Sequence, residues 1–319
     1  MRAEAVNGFE RRFLHYLNVS AGVWPESAAF SLQTEDEPAI KVLVVVAHPD
    51  DESECAATLY RVTHELGGVV DEVIVTNGEA GHQYFAPARA YYGVPANGAT
   101  WRKKLIRIRR KELLRAGRIL GIRQHYFLDQ VDTGRTLNAR DGFDIWDVQK
   151  IRAQLFELLK YHRYHLVLML LPLADSHGHH QTVAVLTLEA IERLPPEERP
   201  AALGVRTVAA GEEPIREFRG LDQYELTRTA EPKPLWCFDR GTPMKCHSDL
   251  DYSIVANWAI AEHKSQGMFQ MESIGRTHEY FWLFAAGETG AAKWQSFLDR
   301  ICSSDQKREN TRGAAAASR

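Results

Sequence analysis

The chain predicts an α/β fold: a Rossmann-like, mostly parallel sheet with helices on both faces and smaller β/α additions toward its C-terminus. Three observations carry that prediction. The run Val42-Leu43-Val44-Val45-Val46 is apolar on both faces, as suits a strand buried in the middle of a sheet. Leu166-Val167-Leu168-Met169-Leu170-Leu171 repeats the pattern, and a proline follows each run, Pro49 in one case and Pro172 in the other. Helical patterns alternate with the strand-like runs, the rhythm of parallel strands joined by crossover helices.

In chain order, residues 1–38 form an N-terminal extension. Phe9, Phe13, Leu14 and Leu17 are spaced for a short packing helix, and 34–38 is a polar linker. The valine run leads through Pro49 into a helix carried by Leu59, Val62 and Leu66 and stopped by Gly67-Gly68. Residues 69–76 give a second strand. The stretch 82–101, with Tyr84, Phe85, Tyr91, Tyr92 and Trp101, is long enough to expect a functional loop. Its rings could stack on a ligand at a neighbouring site or equally make packing or subunit contacts.

A helix over 102–120 shows Leu105, Ile108, Leu113, Ala116 and Leu120 near helical spacing. Residues 125–128 form a short strand, and Val148, Ile151, Leu155, Leu158 and Leu159 mark another helix. After the 166–171 strand, Ala184, Leu188 and Ile191 give a helical face. Beyond Pro195-Pro196, strands are expected over 205–210 and 235–238. A helix follows through 258–263 to near Gly267, and a last one carries Trp294, Phe297, Leu298 and Ile301. The charged segment 211–234 has no clear period. One domain is thus expected over 39–302, with an α/β core at 39–195 and a C-terminal part at 196–302. The tail at 303–319, polar and then Ala-rich, predicts disorder.

Composition narrows the function classes. With 319 residues and 45% hydrophobic content the chain can bury a sizeable core. A formal net charge of −3, with both signs interspersed, argues against a nucleic-acid partner. No segment approaches the ~20 apolar residues of a membrane span, and no signal-peptide pattern opens the chain. The four cysteines are scattered without paired spacing, which suits a reducing compartment. A cytoplasmic location is expected.

Both strand-like runs end in side chains that bind metals. His48, Asp50, Asp51 and Glu52 follow the first, and Asp175, His177, His179 and His180 follow the second. Each group alone can be accounted for more plainly. The acids could cap a helix start, where negative charge opposes the dipole, and the histidines could be buried with satisfied rings. Together they say more, because open α/β sheets bind ligands outside the carboxyl ends of their strands. Two histidines and one aspartate from two such ends make a three-ligand centre with an open position, as in catalytic zinc sites.

In order, these motifs resemble the LmbE-like, or PIG-L, family of zinc-dependent N-acetylglucosamine deacetylases. Ala47-His48-Pro49-Asp50-Asp51-Glu52 resembles the family signature, and Thr76-Asn77-Gly78-Glu79-Ala80-Gly81 the loop after its second strand. Arg109-Arg110-Lys111-Glu112 resembles its Arg-x-x-Glu helix, and Val131-Asp132 its strand-end aspartate. His177-Gly178-His179-His180 resembles His-x-Asp-His, and His263-Lys264-Ser265-Gln266 a late His-x-Ser-Gln. The resemblance implies that His48, Asp51 and His180 hold Zn2+, with Fe2+ or another divalent ion as alternatives. It also implies a small amino-sugar conjugate as substrate, with Glu79, Arg109 and Asp132 as candidates for its hydroxyls. One position departs from the pattern: His179 stands where the family usually has aspartate, and Asp175 is a nearby carboxylate that could substitute.

Amide hydrolysis at neutral pH needs a nucleophile, a partner for the oxyanion and a proton for the departing amine. Zinc lowers the pKa of bound water to ~7 and polarises a carbonyl. Asp50 immediately precedes a ligand and can reach that water without binding metal, so it is assigned general base and later proton donor. His177 is assigned to the oxyanion, a role worth roughly 3–4 kcal/mol in precedents. The expected activity is removal of an N-acetyl group from a GlcNAc-containing conjugate. The alternatives are an amidase acting on a related thiol-sugar conjugate, a non-haem iron oxygenase using the same ligand types, or an inactive binding protein of the same fold. No Gly-x-Ser-x-Gly elbow is present, which disfavours a serine hydrolase. The aglycone, the acyl group and homo-oligomerisation stay open.

Overall fold

The computed structural model describes residues 40–94, 101–212 and 217–302. The expected N-terminal helix, the linker at 34–38 and the tail at 303–319 lie outside the described residues. β1 (Lys41–Val46) is the valine strand, and its residues 42–46 are each at most 2% exposed. Branched side chains suit a pleated surface covered on both sides, and full burial of each contributes roughly 1.5–3 kcal/mol. After Pro49 the chain makes a 3-10 turn over Asp51–Cys55 before α1 (Ala56–His64), so the α-helix begins beyond the acids instead of on them. Gly67 lies past the end of α1 at φ +69°.

The parallel core continues with β2 (Val69–Thr76), α2 (Ala88–Tyr91), α3 (Trp101–Leu120) and β3 (Ile122–Gln130). It is completed by α4 (Arg140–Ile145), α5 (Val148–His162), β4 (Leu166–Leu170), α6 (Gly178–Glu192) and β5 (Ala201–Ala209). The rest comprises β6 (Trp236–Asp239), the hairpin of β7 (Pro243–Met244) and β8 (His247–Asp251), α7 (Ser253–Glu262), α8 (Gly267–Ser273), β9 (Arg276–Leu283) and α9 (Glu288–Cys302). Among the described residues no helix is long and apolar enough to cross a membrane.

The main sheet runs β3-β2-β1-β4-β5-β9-β6. Its first five strands are parallel, and β9 is antiparallel to both β5 and β6. Val42, Val44 and Val46 pack with α1, α3, α7 and α9 on one face. Leu43, Val45 and Ala47 pack with α5 and α6 on the other. The helices that follow β1 and β4 therefore leave on opposite faces, and these adjacent strands open a crevice at their carboxyl ends. Such a switch point is where an open α/β sheet places its ligand.

Three elements differ from the sequence expectation. β9 begins with the polar run Arg276-Thr277-His278-Glu279, which hides it from an apolar-pattern reading. Glu279 is fully buried because its carboxylate accepts the N–H groups of Ala57 and Thr58 at the start of α1 and pairs with Arg240 at 2.9 Å. Those helix-end N–H groups have no partner within the helix. The helix expected to end near Gly267 stops at Glu262, and Gly267 opens α8. Within the aromatic stretch, Phe85 packs in a small core with Ala88, Val94 and Leu105, and Tyr92 donates to Glu112 at 2.5 Å.

Candidate metal and active site

β1 delivers His48 to the crevice, and the turn folds Asp51 back beneath it. Asp51 Oδ2 accepts the N–H groups of Ala47 (3.1 Å) and His48 (2.8 Å). Its Oδ1 lies 3.3 Å from His180 Nε2 and its Oδ2 lies 3.5 Å from His48 Nδ1, while those two nitrogens are 3.2 Å apart. A tetrahedral ion with bonds of 2.0–2.1 Å requires ligand atoms ~3.3 Å apart, so this donor set fits a zinc-sized cation. Burial opposes the charge on Asp51, but the His180 and His48 rings hold its carboxyl well below the usual range. Burial also disfavours protonated His48, yet Asp51, Asp132 and Asp50 raise its pKa above 6.5. The cluster thus attracts positive charge.

Asp50 turns away from these donors and meets Arg109 Nη2 at 2.8 Å. Arg109, 2% exposed, also donates to the carbonyls of Gly78 (2.7 Å) and Pro49 (3.4 Å). Gly78 has φ +68°, and a Cβ there would sit 2.4 Å from Arg109 Nη1. The loop after β2 therefore needs glycine for both its backbone and its space. Arg109, expected to hold sugar hydroxyls, is part of the cavity lining, with Nη1 and Nη2 engaged by Asp50 and two carbonyls. The late motif is bolted on from beneath: His263 bonds Glu52 at 2.5 Å with both side chains fully buried, and Ser265 donates twice to Glu112.

His177 caps α6, its Nδ1 accepting the His179 N–H at 3.1 Å. Burial, then the His48, His180 and His179 rings, push its pKa down to about 2. A neutral ring accepting at Nδ1 carries its proton on Nε2, which makes Nε2–H a donor. A Cβ on Gly178 would fall 2.4 Å from the Asn138 carbonyl oxygen, so glycine lets the loop after β3 lie against this helix start.

That loop supplies the carboxylate beside His179. Asp132 Oδ1 is 3.7 Å from His179 Nδ1, whereas Asp175 is exposed on the surface. Asp132 also accepts the N–H groups of Ala80 (3.2 Å) and Gly134 (2.9 Å). Burial raises its pKa, but His48 leads the interactions that bring it below 3.8. His179 is fully buried, with Nε2 3.1 Å from Thr133 Oγ1 and Nδ1 3.2 Å from His48 Nε2. Burial and then His48 push its pKa down to about 4. Glu79 stands behind the cavity wall, accepting the Asp132 N–H at 3.2 Å.

A cavity of about 190 Å³ opens on the cluster. His48, Asp50, Asp51, Asp132, His177 and His180 line it together with Tyr84, Arg135, Gln266 and Phe269. Of the aromatics singled out at 82–101, Tyr84 is the one in this lining. Arg135 and Phe269 carry no sequence motif and come to the wall through the fold alone.

Residues 43–191 match the family model described as PIG-L, GlcNAc-PI de-N-acetylase. No curated protein sequence is significantly similar to the chain. Among solved structures, the A40926 pseudoaglycone deacetylase Dbv21 is 18% identical with a TM-score of 0.50, covering 78% of this chain and 99% of that one. GalB, the 4-carboxy-2-hydroxymuconate hydratase from Pseudomonas putida, is 16% identical with a TM-score of 0.50 and coverages of 76% and 95%. The N,N'-diacetylchitobiose deacetylase from Pyrococcus horikoshii is 20% identical with a TM-score of 0.47 and coverages of 88% and 92%. At these identities the two matches at a TM-score of 0.50 speak to fold alone, and one is a deacetylase while the other is a hydratase. Residues 43–191 run from β1 through α6 and include His48, Asp51 and His180, and over that stretch the chain is similar to the PIG-L family.

Proposed function

We propose that the protein is a metal-dependent hydrolase that removes the N-acetyl group from an amino-sugar conjugate. The observation that carries this reading is the donor set of His48, Asp51 and His180 at tetrahedral spacing, open to a cavity, with a carboxylate next to it that is held by another partner. A zinc ion held by those three side chains would supply an acidic bound water and draw on the acyl oxygen.

The other groups have roles that follow from their settings. Asp50, fixed by Arg109, takes the proton of the attacking water and returns it to the departing amine. Arg109 acts by positioning Asp50, since its fork of donors holds a carboxylate in one orientation. His177, neutral and protonated at Nε2, donates to the developing oxyanion. Asp132 and Gln266 line the cavity and are placed to accept or donate to sugar hydroxyls. Glu79 supports Asp132 from behind.

The test is a panel of N-acetylated amino-sugar conjugates incubated with metal-defined protein, with new primary amine and acetate measured. Release that stops on chelation and returns with zinc is the expected result. Water addition to an unsaturated acid or oxygen uptake, with no amine released from any conjugate, would overturn the reading.

A further inference from the structure

The donors described so far use one side of the His48 ring. On its other side three atoms converge: His48 Nε2, His179 Nδ1 and Asp132 Oδ1, separated by 3.2, 3.7 and 4.0 Å. Those separations define a point about 2.1 Å from all three, the length of a zinc bond to nitrogen or oxygen. His177 closes the group, its ring centroid 4.7 Å from that of His48 and 4.6 Å from that of His179. Ligand atoms of these three histidines all lie within 4.8 Å of one another. From this geometry we propose a second divalent-cation site, with His48 bridging two ions through its two nitrogens.

The hydrogen bonds around the site favour a cation there. His179 Nε2 lies 3.1 Å from Thr133 Oγ1, and the tautomer that donates Nε2–H to this hydroxyl turns the Nδ1 lone pair toward Asp132. Asp132 Oδ1 is itself an acceptor, already receiving the Gly134 N–H. In that tautomer two acceptors face each other in a buried pocket, and a donor or a cation between them satisfies both. A proton on His48 Nε2 reaches either one, whereas a cation binds both and the ring as well. Loading the second ion displaces that Nε2 proton to solvent, and the shared ring makes this ion the weaker of the two. Asp132 then becomes a ligand, so the second ion takes from substrate an acceptor on that wall of the cavity.

The inference concerns metal stoichiometry and stands apart from the hydrolase reading. Chelator-treated full-length protein would be dialysed against zinc alone and its metal content measured, with proton release followed in weakly buffered solution. The wild type should take up two equivalents, the second more weakly and with release of a proton. His179→Ala and Asp132→Asn should each keep the first equivalent and lose the second. A wild type that stops at one equivalent overturns the proposal and leaves a proton on His48 Nε2. A second equivalent that persists in both variants overturns it too, as a surface site. Uptake of two ions, with no amine released from any conjugate when only the first equivalent is loaded, would instead count against the hydrolase alone.

Discussion

The two loops that meet in the crevice hold their side chains by different means. After β1, each acid has its own partner. Asp51 takes two backbone N–H groups, Asp50 takes Arg109, and Glu52 takes His263. After β4, the imidazoles chiefly face one another and His48: His177 lies under His179, and His179 and His180 each approach one nitrogen of His48. Charge-assisted hydrogen bonds to fixed donors are about twice as strong as neutral ones, so folding alone sets the acid loop. The hydrogen bonds among the rings depend on which nitrogens carry protons. One loop is thus held by fixed charged partners, and the other is the one that the proposed cation would tie together.

The comparison is most easily broken at Asp51. Asp51→Ala removes a donor and the clamp on the end of β1, so zinc content and amine release should both fall to background. Full zinc retention in that variant would show that the acid loop does not supply a ligand. A smaller loss is expected from Asp50→Asn, which should keep its zinc and lose turnover by about 10²–10⁴-fold. Metal analysis run beside kinetics separates the two, and zinc loss from Asp50→Asn would move Asp50 into the ligand set.

Glu52→Gln should have the least effect on zinc while lowering stability by about 3–5 kcal/mol, the cost of breaking a buried ion pair. Burial lowers the His263 pKa, but Glu52 overrides it and the folded value lies above 6.5. The pair's stabilisation is therefore full below pH 6.5 and declines as pH rises through that raised value. Denaturant midpoints for wild type and variant should differ most below pH 6.5 and draw together as pH rises above the raised His263 value. A gap that widened with pH would show that His263 is neutral in the folded state.

The two strand–turn–helix units were legible because a long apolar run that stops at chemistry-bearing residues fits a buried strand feeding a site and little else. β1 and β4 lie where the valine and leucine runs place them, with α6 capped by His177 and carrying His179 and His180 in its first turn. What the sequence hid depends on contacts made at long range. β9 is masked by Glu279, a charge whose burial makes sense only once α1 and Arg240 surround it. Asp175 adjoins the histidines in sequence, yet Asp132 reaches His179 because Gly178 admits the loop after β3. The aromatic stretch illustrates the same limit, since nothing local distinguishes Tyr84 in the cavity wall from Phe85 in a core.

The cap on α1 has a consequence for how the protein is made. Glu279 follows Ala57, whose N–H it receives, by 222 residues. A ribosome has therefore finished His48, Asp51 and His180 long before it adds β9. Until then the first helix has bare N–H groups at its start, and the turn bearing Asp51 has no carboxylate seated behind it. This edge of the sheet is completed late in translation, and a chain cut short before residue 276 would carry His48, Asp51 and His180 without the strand that steadies them.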